Sequence, residues 1–247
     1  MNILLLTGIQ EELYPFLQEH PFEFLKSPRV YRSRKHENLF AATTGPGLKK
    51  RKDVRKLLEA LQPEIIINGG LVGALSDGDS LQIGDKLKLG TVIKAENRIV
   101  FPGGPGRDTL VTVDAPVFEP LEKIHLNLEY KARVCDMEAS RLIELVGGMD
   151  DLKDVCRIVF CKVCGDVVDS HEVYKHEDWV RGWHKMGLWA RIETALRFPG
   201  GPMALKKLLY YKTAGIASLT RELHETLNAV LKSGGRTDKL DSTFLPH

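Results

Sequence analysis

The sequence lacks any long apolar run. The longest near its start, Ile3 to Leu6, falls far short of the ~20 residues a membrane-crossing helix needs and of a secretion-signal core. A cytoplasmic protein is the expectation. Net charge is also missing: 35 Lys and Arg stand against 33 Asp and Glu, leaving +2, so bulk electrostatics calls for no nucleic acid. The run Lys49-Lys-Arg-Lys52 has no aromatic residues interleaved and reads as a solvated helix face. Cysteine is scarce. Cys135, Cys156, Cys161 and Cys164 lie in or beside apolar strand-like runs and read as reduced, buried thiols. Cys161 and Cys164 have the spacing of half a zinc site, yet residues i and i+3 of a strand point to opposite faces and no second pair exists. No metal is expected. No G-x-G-x-x-G leads from a strand into a helix, which excludes a dinucleotide fingerprint, and there is no internal repeat.

What is present is enough apolar material for a core, 43% of 247 residues, arranged as strands alternating with helices. Asn2 to Thr7 is a continuous apolar run ending at Gly8, as in a buried strand. Ile9, Leu13, Phe16 and Leu17 then recur at helical spacing, with Pro15 tolerable only in a first turn. A hairpin is predicted over 29–44, and Gly45-Pro-Gly47 closes it before a helix over 48–61. Pro63 to Asn68 is a strand ending in the glycine-rich turn Gly69-Gly-Leu-Val-Gly73, where a ligand could approach the backbone. Lys86 to Lys94 alternates as a strand, 101–108 reads as a loop, and 109–117 and 155–164 as strands. Residues 170–197 are helical and aromatic-basic, with Trp179, Trp183 and Trp189 among lysines and arginines. Met203 to Leu231 is an amphipathic helix, and 234–247 a loose tail.

The stretch Val134 to Val146 organises the rest. A strand end, Val134 and Cys135, runs into a helix whose Met137, Leu142, Ile143 and Val146 share an apolar spacing. Asp136 and Glu138 sit at the junction, where an open α/β sheet presents side chains to its crevice. Further carboxylates follow other strands: Glu11 or Glu12 after the first, Asp166 after the late one. A glycosidic bond breaks through an oxocarbenium-like state. One carboxylate activates water while an acid protonates the leaving group.

These elements resemble the nucleoside phosphorylase and nucleosidase superfamily, and most closely the bacterial methylthioadenosine/S-adenosylhomocysteine nucleosidases. The resemblance rests on Ile3 to Leu13, Thr44-Gly-Pro-Gly47, Ile65 to Leu75, Ile83-Gly-Asp85, Val134-Cys-Asp-Met-Glu-Ala139 and Gly165-Asp-Val-Val-Asp169, in that order. It implies a three-layer αβα sandwich with a central mixed sheet over 1–233, phosphorylase/hydrolase-like, in which 171–233 form divergent C-terminal helices. It also implies hydrolysis of a purine nucleoside, adenine being the expected base, without a cofactor and in a homodimer. Glu12 would activate water, Glu138 bind the ribose hydroxyls, Met137 pack under the sugar, and Asp166 protonate the base at N7, for which its pKa must be raised. Asp136, Gly70, Leu71, Pro116 and Val117 complete the implied substrate contacts. Phosphorylases of the superfamily grip phosphate with an arginine and a serine where this chain has Asn68 and Leu71, so water is the expected nucleophile. Ala115-Pro-Val117 stands where the nucleosidases carry an aromatic residue. The C-terminal helices resemble those of hopanoid-associated members, thought to act on adenosyl-bearing lipid, and their Trp, Leu, Lys and Arg composition suits weak membrane-surface contact over 171–231.

Overall fold

Ile3 to Thr7 is buried at every position, and its alternate side chains serve two different cores. Leu4 and Leu6 pack on one face of the sheet and Ile3 and Leu5 on the other, as the period of two requires. Ile66 against Ile65 and Ile67 repeats the division, as do Ile158 and Phe160 against Val159, Cys161 and Val163. The computed structural model describes residues 1–27, 29–76, 81–117, 119–167, 201–235 and 243–244. Its elements are β1 (Ile3–Thr7), α1 (Gln10–Glu19), β2 (Phe22–Lys26), β3 (Arg29–Ser33), β4 (Leu39–Thr43), a 3₁₀ turn (Pro46–Leu48), α2 (Arg51–Leu61), β5 (Ile65–Ala74) and β6 (Leu89–Lys94). There follow β7 (Ile99–Pro102), β8 (Asp108–Thr112), α3 (Pro120–Tyr130), β9 (Val134–Asp136), α4 (Ala139–Gly147), β10 (Arg157–Asp166), α5 (Gly201–Lys232) and β11 (Thr243–Phe244).

The sheet is mixed, in the order β2-β3-β4-β1-β5-β9-β8-β6-β7, with β10 on β5 and β11 on β10. α2 and α4 cover one face, α1 and α5 the other. This is the expected three-layer α/β architecture. β5 is its spine. It runs parallel to β1 and β10 and, at Gly73 and Ala74, pairs antiparallel with β9.

The expected turn at Gly69 to Gly73 is therefore strand. Its glycines make room instead: a Cβ on Gly69 would lie 2.7 Å from Leu223 of α5. Residues 101–108 contain the end of edge strand β7, and β8 stops at Thr112 rather than 117. Pro15 sits beyond the first turn, within α1, where it deprives the Glu11 carbonyl of its helical donor. The tail expectation fails at Thr243 and Phe244, which pair antiparallel with Val159 and Ile158. Phe244 is 1% exposed, edge-on to Phe160, because an apolar ring beside an open strand edge gains more from burial than it loses in order. The three tryptophans and the aromatic-basic segment 170–197 lie outside the described residues. Among the described residues no helix is long and apolar enough to cross a membrane.

Candidate active site

The carboxyl ends of β1, β5, β8, β9 and β10 converge, and the side chains that leave them surround a cavity of about 180 Å³. Glu12 arrives from the first turn of α1. One oxygen accepts the backbone N–H of Gly8 (3.1 Å) and Ile9 (3.2 Å), the other that of Leu71 in β5 (3.0 Å). The reach back to the helix entrance is half of a capping box. Burial raises its pKa, against the lowering pull of the Leu71 amide, Lys162 and the amides of Ile9 and Gly8. Glu11, the alternative left open by the sequence, is half-exposed on the outer side of α1, 3.6 Å from Lys212.

β9 and α4 supply the second group. Glu138 is the residue from which α4 starts, and its Oε1 accepts the Gly47 N–H at 2.7 Å. Gly47 has φ +63, a conformation in which a side chain is strained, and a Cβ there would stand 3.0 Å from Arg141. Arg141 donates to the Gly47 carbonyl (2.7 Å) and pairs with Asp114, fixing the loop that holds Glu138. Burial and the neighbouring Asp136 charge push Glu138 up to about 7. Glu12 and Glu138 both approach Gly8: a Cβ there would be 3.4 Å from an oxygen of each.

Beneath them lies Lys162, a cation the sequence reading passed over. It is 1% exposed in the middle of β10, and its Nζ is 2.9 Å from Oδ2 of Asp136. A Cβ on Gly70 would be 3.3 Å from that Nζ and 3.8 Å from Oε1 of Glu12. Burial alone would lower the lysine's pKa, but Asp136, Glu138 and Glu12 together raise it. The available signal was a lysine inside the apolar run 155–164, a place where an unpaired charge is not tolerated.

Asp166 closes the far wall. Its side chain is 17% exposed, and Lys123, 0% exposed, reaches across from α3 to its Oδ1. Desolvation raises the Asp166 pKa; Lys123 opposes the rise by charge and by hydrogen bond. The rise has the direction expected at this position, and it is opposed by a counter-charge, Lys123, that the sequence reading did not name.

Glu12, Leu71, Pro116, Val117, Asp136, Met137, Glu138 and Asp166 all border the cavity. Gly70 does not; it lies behind, between Glu12 and Lys162. Asp136 borders it with both oxygens already engaged: Oδ1 accepts the Thr112 hydroxyl (2.9 Å), and Oδ2 accepts the Ala139 N–H (3.0 Å) beside Lys162. Four carboxylates and no cationic side chain line the space among the described residues. Asn68 is buried, donating to the Leu6 carbonyl (3.4 Å). Burial pushes the Cys161 and Cys164 thiols up to about 12, and no cluster among the described residues could hold a metal ion. A larger groove of about 1010 Å³ between α1 and α5 holds Glu11 but none of these groups.

No protein-family model matches the sequence, and no curated protein matches it. Solved structures do match. An MTA/SAH nucleosidase superposes with TM-score 0.66 at 16% identity, over 96% of this chain and 98% of that one. The 5′-methylthioadenosine nucleosidase of Arabidopsis thaliana gives 0.64 at 18%, over 96% and 98%. Futalosine hydrolase of Helicobacter pylori gives 0.64 at 13%, over 93% and 98%. Likeness at such identities is likeness of fold.

Proposed function

From this fold, that of the nucleoside phosphorylase and nucleosidase superfamily, we propose that the chain hydrolyses the N-glycosidic bond of a purine nucleoside or its 5′-substituted derivative. The observation that carries the reading is the lining itself: Glu12, Glu138 and Asp166 around one cavity with Asp136, and no cationic side chain among the described residues. An oxocarbenium-like sugar is stabilised by such surroundings, whereas a phosphate dianion would meet four carboxylates and no arginine. Water is therefore the nucleophile. Glu12, with its raised proton affinity, takes a proton from water as oxygen bonds to C1′. Glu138 accepts hydrogen bonds from the ribose hydroxyls, and Met137 packs under the sugar. Leu71, Pro116 and Val117 contact the base, and Asp166 delivers a proton to N7 as the C–N electron pair leaves with the base. Each proton transfer contributes roughly 10²–10⁴-fold. No cofactor enters the scheme.

Adenine as the base is supported by the solved nucleosidases of the same fold. A homodimer is supported by α3, whose Leu121, Ile124 and Leu128 are exposed at helical spacing, Leu121 by 72%, an apolar stripe suited to a partner. The reading places the protein in the cytoplasm.

The test is a panel of purine nucleosides, with adenosine and methylthioadenosine among them, incubated with and without phosphate and assayed by chromatography for free base. Release without phosphate supports a hydrolase. Release that requires phosphate makes the chain a phosphorylase, and binding without release makes it a nucleoside-binding protein.

A further inference from the structure

Of the side chains on α3, Lys123 is the buried one. Its ammonium lies against Oδ1 of Asp166, which is its hydrogen-bond acceptor among the described residues. A fully enclosed ammonium with so few partners is a poor stabilising device, since an apolar side chain of similar volume would do as well or better. Its position is informative. It stands behind the carboxyl group that faces the cavity, and Asp166 paired to an ammonium is a carboxylate, which has no proton to give.

We propose that Lys123 is the proton store for the departing base, a positioning residue that acts through Asp166. This rests on the reading of Asp166 as the group facing the leaving group. The Lys123 ammonium first passes a proton to the Asp166 carboxylate, and as the C1′–N bond breaks and its electron pair passes to the base, the base nitrogen takes that proton from the Asp166 carboxyl. Lys123 ends neutral, Asp166 ends as the carboxylate it began, and the water proton resides on Glu12. Solvent restores both after product leaves. Burial supports the exchange, because it raises the proton affinity of Asp166 and so brings the two groups closer in their hold on one proton.

The groups that face the pair do not supply the proton. From β9 these are Cys135 and the charge of Asp136; from β10, Cys164, which also feels Asp85. Both thiols are held protonated by burial, Cys164 up to about 12, and Asp136 is committed to Lys162, Thr112 and Ala139.

The experiment compares two leaving groups in the full-length protein: a purine nucleoside, whose base must be protonated to leave, and a 4-nitrophenyl riboside, whose phenolate need not be. Lys123→Gln is expected to lose roughly 10²–10⁴-fold on the purine nucleoside and less than about tenfold on the nitrophenyl riboside. The alkaline fall of kcat/KM for the purine should move to lower pH, because a lone Asp166 must then carry its own proton. Lys123→Arg keeps the charge but not a transferable proton, so it should show the same selective loss, and it keeps the test open if Lys123→Gln does not fold. Restoration of wild-type rates by arginine would overturn the proposal. So would equal losses on both substrates with an unmoved pH profile, the mark of a structural ion pair. Failure of the parent reading looks different: the wild-type protein would then release neither leaving group.

Discussion

Replacing Lys162 by methionine removes a buried positive charge beneath three carboxylates and keeps most of the side-chain volume. Lys162 and Asp136 are both 1% exposed and 2.9 Å apart, so neither partner can turn to water when the other is lost. Removing one member of such a buried pair costs about 3–5 kcal/mol, a large share of a domain's total of roughly 5–15 kcal/mol. For a chain of this size that corresponds to a melting temperature lower by roughly 6–20 °C. The loss should depend on pH with a definite sign. Without the lysine, the Glu138 and Glu12 carboxyls bind protons still more tightly folded than unfolded, so stability is retained at low pH and falls as pH rises through their folded-state values. Differential scanning calorimetry at pH 5.5 and 8 measures both effects, and Lys162→Met should be closest to the wild-type protein at the lower pH. Adding Asp136→Leu should return part of the stability, since the uncompensated charge is then gone. A drop under about 2 °C, or one that is the same at both pH values, would refute the account of Lys162 as the counter-ion of the site.

Glu12→Gln keeps an acceptor oxygen for the backbone amides but cannot take a proton; hydrolysis should fall roughly 10²–10⁴-fold while the circular dichroism melt stays within a few degrees of wild type. Glu138, raised from 4.5 to about 7, favours the folded state less as it ionises. The wild-type urea midpoint should therefore decline between about pH 5 and 8, by up to about 3 kcal/mol in free energy for a shift of this size, and Glu138→Gln should flatten that decline. Gly47→Ala forces a side chain onto φ +63 and against Arg141, at about 1–2 kcal/mol. It should raise KM for the nucleoside more than it lowers kcat, because it loosens the amide that holds Glu138. Phe244→Ala empties a buried aromatic site on β10 and should cost about 3–5 kcal/mol in chemical denaturation, far more than a loose tail would show.

Elements with two buried faces were legible from sequence. β1 and the first half of β5 are apolar runs, and so is β10 apart from Lys162 and its two ends, because helices cover both sides of the sheet there, and α4 announced itself by an apolar stripe. What escaped was of two kinds. β2 and β7 are edge strands with partly solvated faces, Phe24 and Val100 among their exposed residues, so no burial pattern marks them. α3 runs against the rule by which amphipathic helices are read: its Leu121, Ile124 and Leu128 face outward and a lysine faces in. The carboxylates of the site could be named from their places after strands. Their counter-ions were harder to name, because Lys123 gains its partner only when α3 meets the end of β10 and Lys162 only when its strand is carried to Asp136. The distinction between Glu11 and Glu12 likewise depends on which side of α1 meets β5, where the Leu71 amide waits for one of them.

The ten residues of β5 touch three partner strands and carry the Leu71 amide that fixes Glu12. An amide in such a strand opens to solvent only when the surrounding sheet comes apart, so its hydrogen exchange should follow global unfolding rather than local fraying. The hollow above it is thus not a soft region that can loosen alone. A small molecule that settles there stabilises the whole domain by mass action, and the rise in melting temperature it produces makes a calorimeter a direct reader of which nucleosides fit.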